Sequence, residues 1–163
     1  MKAQIKWLIL GAIAVAAVVQ YKRGNVSLFS DGIKLNNPGK LPYNQNIPAW
    51  PNETRPSSST QYAQFPDPVW GLYALAKRLS IIMANPGDRT LTRIISAWAV
   101  ERNENPSTYV AAIAKRTELQ TGSNIANSMP EVMKAIIDYE NGEQPYANLI
   151  VVNSWRMTQL NTW

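Results

Sequence analysis

The chain has 163 residues, enough for one compact domain with an appendage and too few for two ordinary domains. It contains no cysteine and no histidine, which excludes disulfides, thiolate metal sites, Ser-His-Asp or Cys-His catalysis and nearly every zinc site. Any catalysis has to rest on carboxylates, tyrosine, lysine or a hydroxyl, and neither a metal nor a cofactor is expected. The formal charge of +5 invites a nucleic-acid reading, since basic proteins are drawn to phosphate backbones. Four of the sixteen basic side chains (Lys2, Lys6, Lys22 and Arg23) lie in residues 1–23, which hold no acid. Residues 24–163 therefore carry twelve basic against eleven acidic side chains, and no specific nucleic-acid partner is expected.

Residues 7–19 are thirteen apolar residues without a break, Trp7 first and Val19 last, between basic flanks. A membrane-spanning helix needs about 20 residues. Residues 3–21 nearly suffice if Lys6 snorkels to the headgroups and Trp7 and Tyr21 sit at the interfaces. Residues 1–23 are read as a retained transmembrane anchor, with a signal peptide or a buried helix as alternatives. Two basic residues on each side leave its orientation open.

Residues 24–66 form an extended, turn-rich segment. Seven of the eleven prolines fall in residues 36–68, with Ser57, Ser58, Ser59 and Thr60 in the middle, which rules out regular helix. Gly39, after Asn36-Asn37-Pro38, suits a tight turn, and Ile33 and Leu41 are placed to be short strand residues on either side of it.

From residue 67 the pattern is helical. Asp67-Pro68 and Asn105-Pro106 each pair an N-cap acceptor with a first-turn proline, and Ser128-Met129-Pro130-Glu131 reads as a capping box. The first helix runs to about Ala84. Val69, Leu72, Tyr73, Ala76, Leu79 and Met83 share its core face, and Lys77 and Arg78 point away. Further helices are predicted at 91–99, 106–119, 130–139 and 147–160. The fold class is mainly α, leaning to α+β, with 67–163 as the helical part and 24–163 as one compact unit. Trp70 and Trp98 lie on apolar faces and read as core, whereas Trp50, among prolines, is available to a ligand.

The segment 31–43 (DGIKLNNPGKLPY) resembles the GIRNNNPGNIRY opening of a family of phage and prophage virion proteins, some of them structural proteins of membrane-containing phages. Other matches follow in order: Phe65-Pro66-Asp67-Pro68, Gly71 and Leu79; Thr90 with Ile94-Ile95-Ser96-Ala97-Trp98-Ala99; Glu104-Asn105-Pro106-Ser107-Thr108-Tyr109-Val110; and Ile136-Ile137-Asp138-Tyr139-Glu140-Asn141-Gly142 with Pro145-Tyr146. The resemblance spans about residues 32–146. That family is similar in turn to bacterial glucosaminidases of the lysozyme-like fold, which implies a small lysozyme-like domain directed at peptidoglycan. In those enzymes the general-acid glutamate precedes the paired-asparagine turn. Here no glutamate precedes Asn36, and the first is Glu53.

Hydrolysis by that route would have to recruit a carboxylate from elsewhere, because glycoside cleavage needs one carboxylic acid held protonated, often with a second carboxylate nearby. Glu101 with Glu104, and Glu140 with Glu143, have suitable spacing. Glu104 and Glu140 are the catalytic candidates, and Asn36, Asn37, Trp50 and Tyr109 the binding candidates. A cleft is expected between the turn at 36–39 and the loops bearing Glu104 and Glu140. Glu104 also suits the helix dipole, and Glu143 suits solvent.

The leading reading is a membrane-anchored phage virion structural protein with a degenerate lysozyme-like domain, present in several copies. It would tie the viral membrane to the capsid or entry apparatus, with lipid, other virion proteins and peptidoglycan as partners. The alternatives are a virion-associated peptidoglycan hydrolase of glycosidase or lytic transglycosylase type, and a bacterial inner-membrane protein with a periplasmic domain. Its expected place is the virion, in association with the viral or host inner membrane.

Overall fold

A computed structural model of the chain describes residues 30–43, 48–54, 61–84 and 89–160. These form six helices: α1 (Asp31–Lys34), α2 (Pro68–Ala84), α3 (Leu91–Val100), α4 (Pro106–Thr117), α5 (Met129–Asn141) and α6 (Asn148–Gln159). Among the described residues there is no strand longer than an isolated bridge, so the fold is mainly helical. No described helix is long and apolar enough to cross a membrane. The expected anchor, with Trp7, Val19 and Tyr21, lies outside the described residues.

Helix α2 is the centre of the domain. All six residues of its expected core face are buried, but so are Ala74, Leu75 and Ile82, which closes most of its circumference to solvent. Its start follows the Asp67-Pro68 pair: Asp67 Oδ1 accepts from Val69 N at 2.9 Å, satisfying one of the orphan N–H groups of a helix start. Helices α3, α4 and α5 each pack on their neighbour in sequence, and α6 packs on α5 and returns to lie against α2, so the contacts close a circuit. Leu72, Leu79, Ile94, Trp98, Tyr109 and Ile137 share the resulting core, and Trp70 is half-buried against it.

The first turn of α3 is completed by a distant loop. Leu91 N donates to Ser123 O at 3.0 Å and Thr92 N to Thr121 O at 2.9 Å, while Thr90 Oγ1 accepts from Arg93 N. Asn105 caps α4, its side chain accepting from Thr108 N at 3.0 Å. The same helix stops at Thr117, short of the expected 119, because Glu118 takes the left-handed conformation (φ 59°) that ends helices. Gly142 (φ 76°) ends α5 in the same way.

Two local expectations are corrected. Ser128 precedes α5 but makes no side-chain cap bond, so there is no capping box there. Ile33 is not a strand residue facing Leu41 across a hairpin. It lies in α1, where Ile33 N and Lys34 N both donate to Ser30 O in a helical turn. Leu41 pairs instead with the segment after residue 60, its carbonyl accepting from Ala63 N at 2.9 Å, and the bridge Pro42–Tyr62 follows.

Candidate functional site

The turn at 36–40 needs two residues with positive φ, Asn36 (53°) and Lys40 (46°), a conformation that asparagine tolerates better than most. Asn37 is wholly buried, and its carboxamide is fully engaged: Nδ2 donates to Leu41 O (2.9 Å) and Ala63 O (2.8 Å), and Oδ1 accepts from Leu41 N (2.9 Å). Asn36 Nδ2 donates to Phe65 O at 2.9 Å. The paired asparagines thus hold the turn to the chain around 63–65, and neither lines a hollow described below.

The turn is pressed against α2 at Gly71, where a β-carbon would stand 1.8 Å from Asn36 O. It is fixed to the end of α5 by Asn141, whose Nδ2 donates to Pro38 O at 2.7 Å. Beside this joint runs a cleft between the turn-rich segment and the helices. One hollow, of about 410 Å³, is bounded by Leu41, Pro42, Trp50, Arg78, Trp98 and Glu101. A second, of about 320 Å³, is bounded by Lys40, Tyr62, Arg102, Glu104 and Glu140 among others. Both share Pro42, Glu101 and Arg102 as walls, so the two hollows adjoin.

Glu140 is the most deeply buried of the three carboxylates that line this cleft. Its Oε1 accepts from Tyr109 Oη at 2.6 Å and from Arg102 Nε at 3.0 Å, and the Arg102 and Glu140 side chains are each only 9% exposed. Tyr109 Oη accepts in turn from Trp98 Nε1 at 3.0 Å. Burial pushes the Tyr109 phenol well above the usual tyrosine range, and the negative charge of Glu140 pushes it the same way. The Arg102 guanidinium lies 5.0 Å from the centre of the Trp98 ring and also donates, through Nη1, to Lys40 O at 2.9 Å. Lys40 Nζ completes the arrangement by donating to Glu140 O. Three helices and the turn meet in one polar clasp.

The other candidates are placed differently. Glu104 is exposed on the rim of the second hollow. Glu101 forms a forked ion pair with Arg78, with Arg78 Nε to Oε2 at 2.8 Å. Tyr109 is buried behind Glu140 rather than lining the cleft, and Trp50 is a half-buried wall of the first hollow. Asp31 is exposed beside Lys34. Sequence reasoning passed over Lys40 and Arg102, which carry no motif of their own. Among the described residues no cluster of three or more acidic side chains is arranged to hold a metal ion.

No protein-family model matches the chain. It is similar to Protein P5 of Pseudoalteromonas phage PM2, with 28% identity over 117 residues that cover 71% of this chain and 73% of that protein. A phage protein is thus a relative of this chain, in agreement with the origin that the motif series implies.

Proposed function

We propose that the chain is a structural component of a phage particle, held to lipid by residues 1–23, whose lysozyme-like domain joins the membrane to the capsid or entry apparatus and cuts nothing. The observation that carries this reading is the state of Glu140. A glycosidase needs a carboxylic acid free to give up a proton in its cleft. Glu140 is instead the acceptor of an ion pair with Arg102 and a hydrogen bond from Tyr109, and its backbone carbonyl is held by Lys40. Glu104 is exposed on the rim of the hollow and has no apolar pocket around it of the kind that a glycosidase acid occupies. The likeness to a phage protein supports the particle as its place, and several copies per particle fit a structural role.

A second reading, a peptidoglycan hydrolase used in entry, is favoured by one observation: Glu104 and Glu140 line the same hollow, next to one walled by Trp50 and Trp98. The assignment to the particle is tested by mass spectrometry of gradient-purified virions before and after detergent extraction of their lipid. The chain should be present in intact particles and leave with the detergent-soluble fraction. Its absence from intact particles would overturn the proposal.

A further inference from the structure

Helices α2 and α6 leave between them, on their outer side, a groove of about 320 Å³ lined by Lys77, Ile81, Met83, Arg89, Trp155 and Gln159, among others. Neither helix contains an aspartate or glutamate. Lys77 and Arg89 pair with no carboxylate among the described residues, in contrast to Arg78, Arg102 and Arg116. The carboxylates Glu101, Glu104 and Glu140 line the cleft instead. Ile81 of α2 is an exposed aliphatic side chain (41%) on the wall of this groove, and Trp155 of α6 is half-buried in it.

We propose that this groove docks the domain on the surface of an anionic phospholipid bilayer, with Lys77 and Arg89 at the headgroup phosphates and Ile81 and Trp155 at the boundary with the acyl chains. Cations with no carboxylate partner among the described residues attract an anionic surface, and an exposed aliphatic side chain gains from leaving water. A half-buried tryptophan lining the same groove is the kind of side chain that settles at the interfacial level. An acidic protein would satisfy the cations but leaves the tryptophan and aliphatic surface unaccounted for. The inference rests on the reading of the chain as membrane-associated, but it does not require residues 1–23 to span the bilayer.

The chain has no cysteine, so a single spin label can be placed on the full-length protein through Ile81→Cys, with Val100→Cys on α3 as the reference. Each is mixed with vesicles of phosphatidylcholine alone or with added phosphatidylglycerol. The Ile81 label should be immersed, colliding with oxygen rather than with a water-soluble nickel chelate, only when phosphatidylglycerol is present, and the Val100 label should stay aqueous throughout. Lys77→Gln with Arg89→Gln should lower the immersed-to-aqueous ratio by about 30-fold, as each basic residue at an anionic surface contributes about fivefold. An Ile81 label that stays aqueous on anionic vesicles overturns the docking face, as does equal immersion on neutral ones. Protection of that label by polyglutamate but not by vesicles would assign the groove to an acidic protein and overturn it too. Flotation keeps the anchor separate. A chain that floats with neutral vesicles while its Ile81 label stays aqueous on both kinds retains the anchor and loses the docking face. A chain that floats only with anionic vesicles, label immersed, retains the face and loses the anchor.

Discussion

Glu140 and Glu104 border the same hollow, yet they stand in opposite electrostatic settings, and substitution should separate them. Glu140→Gln removes one half of an ion pair whose side chains are each 9% exposed, stranding the Arg102 charge. It should cost about 3–5 kcal/mol in urea denaturation, the usual loss when one partner of a buried pair is removed. Glu104→Gln, at an exposed position, should change stability by no more than about 0.5 kcal/mol. Equal effects would mean that the clasp does not hold the domain. Tyr109→Phe leaves the Trp98 indole without its acceptor and Glu140 with Arg102 as its one remaining side-chain donor, and should cost about 1–3 kcal/mol. The phenol also sets a pH dependence. The folded chain holds the Tyr109 proton more tightly than the unfolded chain does, so above the ordinary tyrosine pKa of about 10 the unfolded state binds fewer protons and stability falls as pH rises. Denaturation midpoints measured at pH 8 to 11 should show this decline in the wild type and less of it in Tyr109→Phe. Glu104 and Glu140 were legible because they sit in recognisable motifs. Lys40 and Arg102 were not, since their bonds to Glu140 cross 100 and 38 residues of sequence and leave no local pattern.

Helices α2 to α6 follow from the sequence because each has an apolar face at helical spacing, and two of them open on an Asx-Pro pair whose side chain caps the first turn. Helix α1 escaped notice because four residues carry no periodicity, and its geometry depends on what it meets. Its Gly32 lies where a β-carbon would be 2.3 Å from Asn141 Oδ1, at the end of α5. Ser128 misled because a serine three residues before a glutamate has the spacing of a capping box without being obliged to form one. Gly71 appeared only as a motif glycine, whereas its role is close approach. Gly71→Ala would drive a methyl group into the Asn36 carbonyl at 1.8 Å, and since that obstacle is backbone the turn itself must move. The loss should be about 3 kcal/mol or more, at the upper end for overpacking. Thermal unfolding that left the midpoint unchanged would show that the turn does not rest on α2.

At the scale of the whole molecule, a circuit of five helices carries a turn-rich flap on one side, and the joint between them combines buried apolar contacts with a clasp of polar groups that engages Glu140. Catalysis by this cleft would require Arg102 to release Glu140, or Glu104 to be covered by something outside the described residues. The part of the account at residues 1–23 calls for its own test: full-length protein should stay in the membrane pellet through carbonate and high-salt washes, and release by either would remove the anchor. The central claim, that the domain is a scaffold whose cleft does no chemistry, is tested most directly by incubating purified peptidoglycan with the full-length chain in detergent and following turbidity and released muropeptides. The account predicts no clearing and no new fragments. Clearing by the wild type that disappears in Glu140→Gln or Glu104→Gln would contradict it and establish the cleft as an active site.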